Sequence, residues 1–199
     1  MSLACLVLCA AALAVLELDA AAAGQFMVAR PIVLGPLAGL ALGDLTLGGA
    51  LGALYELFSL ADPPVGGYLP INPTVALSSS LLLSTGGGAF AAVAFPLGLL
   101  LGWVHSRVET ALRQRRVKNV RRVERRLAAG DKPGLGREAG LELLRQALAT
   151  FAILLLAVAV RRLAPGFGLT QWASGGLKFG WALAPWIGLG ALFKALRIA

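Results

Sequence analysis

The chain carries little of what most enzyme sites are built from. Of its 199 residues one is a histidine, His105, two are cysteines, and ten are acidic. The cysteines, Cys5 and Cys9, stand four apart in an apolar run. One imidazole and two such thiols do not make a His/Cys cluster, so no metal site and no cofactor is expected. A disulfide framework is excluded on the same count, and both thiols read as small packing residues. Charge is scarce too, at 14% of residues, where soluble domains carry about 25%. With 58% hydrophobic residues and a mean hydropathy of +0.79, the composition excludes an ordinary soluble domain and points to an integral membrane protein. No basic cluster precedes the first apolar stretch, which argues against a cleaved signal peptide. Aromatic residues do not alternate with the basic ones, so nucleic acid is not expected as a partner.

What charge there is sits in one place. Residues 103–145 carry twelve Lys/Arg and five Asp/Glu, a local net charge of +7 within a chain total of +8. By the positive-inside rule, this segment and the C-terminus belong in the cytoplasm. The loop 161–178 then falls outside, although it carries Arg161, Arg162 and Lys178. Within the basic segment, Val117, Val120, Val123 and Leu127 recur at helical spacing, which predicts an amphipathic helix over 105–126. Such a helix either lies on anionic headgroups or docks a soluble partner. His105, between Trp103 and Arg107, reads as an interfacial residue.

The punctuation marks predict broken spans. Leu3–Leu16 is short for a bilayer and either continues into the Ala-rich stretch 20–23, with Glu17 and Asp19 facing the bundle, or inserts halfway. Pro31 suits the first turn of a helix, and Pro36 should kink it. Ile32–Leu42 and Leu45–Leu60 flank Gly43–Asp44. Residues 61–73, with four prolines and two glycines, form an external or re-entrant loop. The apolar run 75–103 is interrupted at Ser84–Gly88 and at Pro96, giving a broken span or a short hairpin hinged at the glycines. A further helix starts near Arg137 and runs through 147–160, and a last one covers 179–193. The expected fold is an all-α polytopic membrane protein with broken and re-entrant helices and a cytoplasmic basic amphipathic helix. The whole chain, 1–199, reads as one membrane domain.

The stretch 25–80 organises the rest. It is apolar yet keeps Asp44 and Glu56, and its glycines recur at helical spacing: Gly35, Gly39 and Gly43, then Gly48 and Gly52. Small residues at this spacing let helix backbones approach in lipid. An intramembrane carboxylate costs about 2–4 kcal/mol unless it is paired or wetted, so acids kept there point to a polar substrate site.

QFMVARP (25–31), GLALGDLTLGGALGALYELFSL (39–60) and NPTVALSSS (72–80) together resemble the membrane IIC subunit of the mannose/fructose/sorbose family of the bacterial sugar phosphotransferase system. The shared pattern is Gln25, Arg30–Pro31, Gly39, Gly43–Asp44, Gly52 and Glu56 in order. The resemblance implies a permease subunit in the bacterial inner membrane that binds and translocates a hexose-like sugar. It implies that Gln25 and Glu56 face the sugar, with Asn72 and Thr74, beside Pro73, close to it. Pro31, Gly39, Gly43, Asp44, Gly52 and Pro73 are then structural or hinge residues. Glu56 is open to a second reading as a structural partner of Arg30, and Asp44 to a capping role. The implied partners are a IID-like membrane subunit, IIA/IIB phosphocarriers and membrane lipids, in a homo- or hetero-oligomer. No residue of this chain is expected to be catalytic, because phosphoryl transfer would take place on a IIB histidine. Thr74 stands where the family pattern has an aspartate, and the chain is short for the family. A non-transporting or degenerate membrane subunit, docking a soluble regulator through residues 107–128, is the alternative.

Overall fold

A computed structural model describes residues 1–198 except 23, 61–67, 85–87, 133 and 164–173. Most of the expected loop 61–73, the glycine hinge at 86–87 and much of the expected loop 161–178 lie outside the described residues. Those described form seven helices: α1 Leu3–Ala21, α2 Pro31–Leu42, α3 Leu45–Leu60, α4 Pro73–Ser84, α5 Gly88–Ala128, α6 Leu135–Leu163 and α7 Ser174–Ile198. Among the described residues there is no strand. α1 and α6 contain stretches long and apolar enough to cross a membrane, and α2, α3 and α4 are shorter apolar helices. The chain is an all-α membrane protein.

The breaks fall where backbone chemistry requires them. Pro31 opens α2, where its missing N–H costs nothing, and Pro36 lies inside the same helix. Gly43 ends α2 at φ +86°, a left-handed conformation that glycine adopts freely, and its N–H turns back to Gly39 and Leu40. Asp44 then caps α3, its Oδ1 accepting from the Leu47 N–H at 2.9 Å. α2 and α3 thus form a tight hairpin sealed backbone to backbone. A Cβ added at Gly39 would lie 2.7 Å from both Gly48 Cα and the Asp44 carbonyl oxygen.

α4 is the hub. It packs against α1, α2, α3, α5 and α6, and every residue from Thr74 to Ser84 is buried. Ser80 ties it to other helices: its Oγ donates to the Ala94 carbonyl at 2.9 Å and lies 2.6 Å from the Tyr55 hydroxyl. Twelve residues rise only ~18 Å, well short of the ~30 Å hydrocarbon thickness. Beyond α4, an aromatic cluster seats α7. Trp181 meets the ring of Phe95 edge-on at 5.7 Å, and Phe95 in turn touches Tyr55 and Phe58.

Two helices run longer than the sequence pattern suggests. α1 takes the extended form and carries Glu17 and Asp19 inside it. The basic stretch 105–126 is not an element of its own but the second half of α5, a single helix of 41 residues. Gly130, at φ +85°, turns the chain after α5, and α6 packs back against it. Beyond the apolar core this pair is joined by polar contacts. Arg116 donates to Gln146 at 2.7 Å and Asn119 donates to Glu142 at 2.8 Å, while Arg145 pairs with Glu142 within α6. His105, expected at an interface, is fully buried. The exposed side of that turn belongs instead to Trp103, with the Arg107 guanidinium 5.1 Å above its ring.

Candidate functional site

A cavity of about 490 Å³ opens at the N-terminal end of α4. This is within the ~300–1,000 Å³ range of small-molecule sites. Gln25, Asn72 and Thr74 line it, as do Pro31 and Pro73. So do Glu17, Asp19, Arg30, Ser59, Glu109 and Arg113. Its wall is therefore far more polar than the surrounding bundle.

Each lining group is fixed by a local rule. Asn72 caps α4, its Oδ1 accepting the Val75 N–H at 3.1 Å, while its Nδ2 donates to Glu17 Oε1 at 3.0 Å. Thr74 is buried and donates its hydroxyl to the Ala29 carbonyl at 2.8 Å, tying the α1–α2 connection to α4. Its lone pairs are left to accept, but its hydrogen is already used. Gln25 is exposed on that connection at φ +56°, between Gly24 at +96° and Met27 at +64°. Non-glycine residues in this region are strained by about 1–3 kcal/mol each and need support. Asp19 provides it, its carboxylate accepting from the Phe26 N–H at 2.7 Å and the Ala29 N–H at 3.2 Å.

Glu56 is placed differently. It is buried behind the wall, 2.5 Å from the Arg30 guanidinium, and it accepts from the Ile32 N–H at 3.4 Å. It thus holds Arg30, which lines the cavity, and sits at the positive end of α2. Gly39, Gly43, Asp44 and Gly52 form or close the α2–α3 seam; none of them is among the described lining residues.

Sequence reasoning missed the opposite wall. Glu17, fully buried in α1, receives Asn72, Gln146 at 3.4 Å and Thr150 at 3.2 Å. Glu109 is nearly buried on α5 and takes two hydrogen bonds from Arg113, at 3.0 and 2.7 Å. An acid at the end of an apolar helix and an i,i+4 Glu–Arg pair in a basic helix were visible signals. Neither carries any sign that the fold brings them together.

The chemical capacity of the site follows from this inventory. Amides donate and accept, guanidinium groups donate only, and carboxylates accept only. A polyhydroxylated guest presents donors and acceptors all round, and this wall answers both. No individual curated protein matches the chain. The family model described as the sorbose-specific IIC component of the phosphotransferase system matches residues 1–198. With a match running over nearly its whole length, the chain belongs to the sorbose-specific IIC family of sugar phosphotransferase membrane components.

Proposed function

We propose that the cavity at the head of α4 is where this permease component holds its sugar, a hexose-like ring, on its way across the membrane. The observation that carries the reading is the set of polar groups on the wall: two amides, two guanidinium groups and three carboxylates around one space. Asn72 and Gln25 contact hydroxyls directly, and Arg113 donates to others. Thr74 accepts, and Glu56 acts through Arg30 by keeping that side chain at the wall. The chain is a transport subunit served by IIA and IIB phosphotransfer partners. The phosphoryl group moves from a IIB histidine to the sugar, with a IID-like subunit completing the path in a multi-pass assembly of the bacterial inner membrane. Residues 103–145 and the C-terminus face the cytoplasm.

The test is uptake of labelled sugars by cells producing this chain with its sister subunit. Asn72→Ala and Gln25→Ala should each lower uptake about tenfold, the effect of losing roughly 1.4 kcal/mol of binding. Unchanged uptake in both variants, with normal amounts of protein in the membrane, rejects the reading. Uptake by the chain without the sister subunit would reject the shared path.

One observation favours a second reading, in which the chain docks a soluble regulator and does not transport. Val117, Val120 and Leu127 stand half-exposed on the basic half of α5. Under that reading, Arg121→Glu with Arg122→Glu abolishes function and Glu56→Gln leaves it intact. The transport reading requires the reverse ranking.

A further inference from the structure

We propose that Glu17, His105 and Glu109 bind a divalent transition-metal ion, of the zinc or manganese kind, where α1, α5 and α6 converge. The sequence offered no His/Cys cluster, but carboxylates are ligands too. One ligand atom from each of these three residues lies within 4.8 Å of the others, and all three side chains are buried.

The hydrogen bonds point to what is missing. His105 is fully buried; its Nε2 lies 2.9 Å from Thr150 Oγ1, and its Nδ1 has no hydrogen-bond partner among the described residues. The Thr150 hydroxyl hydrogen is directed to Glu17 Oε2 at 3.2 Å or to the Gln146 carbonyl at 3.1 Å. With that hydrogen so placed, Thr150 accepts from Nε2–H, and in this tautomer Nδ1 carries a bare lone pair. That lone pair faces Glu109 Oε2 at 4.0 Å, another acceptor, too far for a hydrogen bond. Two acceptors facing each other across such a gap leave a place for a cation between them. Ligand atoms that share one ion at about 2.0–2.2 Å stand roughly 3–4.4 Å apart; the 4.0 Å between His105 Nδ1 and Glu109 Oε2 falls in that range, and the set of three, within 4.8 Å, has only to close in slightly around an ion.

The surroundings already behave as an outer shell. Nε2–H on Thr150 fixes the imidazole tautomer, as in histidines that bind metal through the other nitrogen. Arg113 occupies Glu109 Oε1 and leaves Oε2 free, while Asn72 and Gln146 orient Glu17. One imidazole nitrogen with carboxylate oxygens favours a borderline transition ion over magnesium or calcium, which prefer oxygen alone. Glu17 and Glu109 lie on the cavity wall, which gives the ion a way in.

The full chain, purified in detergent without a polyhistidine tag, is stripped with chelator and dialysed against zinc or manganese. Elemental analysis should find about one ion per chain. Glu109→Gln and His105→Gln should each lower this at least tenfold in protein that elutes as a folded species. Should a variant fail to fold, the stripped wild type decides: added zinc should raise its unfolding temperature, and cobalt should give an absorption spectrum with imidazole ligation. Metal content no higher than in the folded variants, or an unfolding temperature unmoved by zinc, overturns the proposal. Sugar uptake is not the readout, so failure here leaves the sugar cavity standing, and the reverse holds too.

Discussion

Two helical hairpins in this molecule have the same outline and opposite physics. α2–α3 is joined by glycines and bare backbone, with Gly35 and Gly39 against Gly48 and Gly52. The far half of α5–α6 is joined by Arg116 with Gln146 and by Asn119 with Glu142. Lipid offers no hydrophobic reward for bringing two apolar helices together, so α2–α3 relies on close van der Waals approach. The basic hairpin instead uses polar links between side chains, each worth little alone. The lesson is that one hairpin is held by close backbone packing and the other by polar side-chain contacts, and each is open to a different insult.

The largest effect should come from filling the glycine seam. Gly39→Leu forces side-chain atoms into the Gly48 backbone and should cost about 3 kcal/mol or more, seen as lost yield or a lower unfolding temperature in detergent. Gly49→Ala is its control: a Cβ there meets nothing within 4 Å, and the helix should be unchanged or slightly stabilised. If both variants behave alike, the close-approach account of this hairpin fails.

Next comes the ion pair beside the seam. Arg30→Ala leaves Glu56 buried with only the Ile32 N–H, whereas Glu56→Gln leaves Arg30, 46% exposed, to find water. The arginine change should therefore destabilise more, by about 1–3 kcal/mol once partial exposure is allowed for. Thermal unfolding of the two variants side by side checks the ranking.

The smallest effect belongs to the polar hairpin. Glu142→Gln should cost ~1 kcal/mol or less, and 1 M salt, where the screening length falls to about 3 Å, should erase most of the difference. Amide exchange over residues 135–145 should quicken in high salt, while residues 31–60 stay unmoved. Equal response of both hairpins to salt would blur the contrast drawn here.

Legibility in the sequence followed the same division. Breaks set by a residue's own backbone could be read directly: Pro31 at the start of α2 and Gly43–Asp44 between α2 and α3, whereas Pro73, assigned to the loop, opens α4. So could the glycine stripe, because its signal is spacing along one chain. Continuity was harder. Nothing local says that α5 passes unbroken through His105, since a change of composition looks like a boundary even when the helix ignores it. α7 likewise begins at Ser174, before the apolar run that announced it. Hardest were partners far apart in the chain. Glu17 meets Gln146 and Thr150 across more than a hundred residues, and no periodicity marks such a meeting. One wall of the cavity was thus visible from residues 25–74 and the other was not.

The unbroken α5 has a mechanical meaning. Glu109 and Arg113, at the cavity wall, share one stiff rod with Arg121, Arg122 and Arg125. From Glu109 to Arg125 the rod is ~24 Å long. Whatever grips its basic tip holds an oar whose blade is the cavity wall: a few degrees of swing at one end become the same few degrees at the other, with no relay of side chains in between.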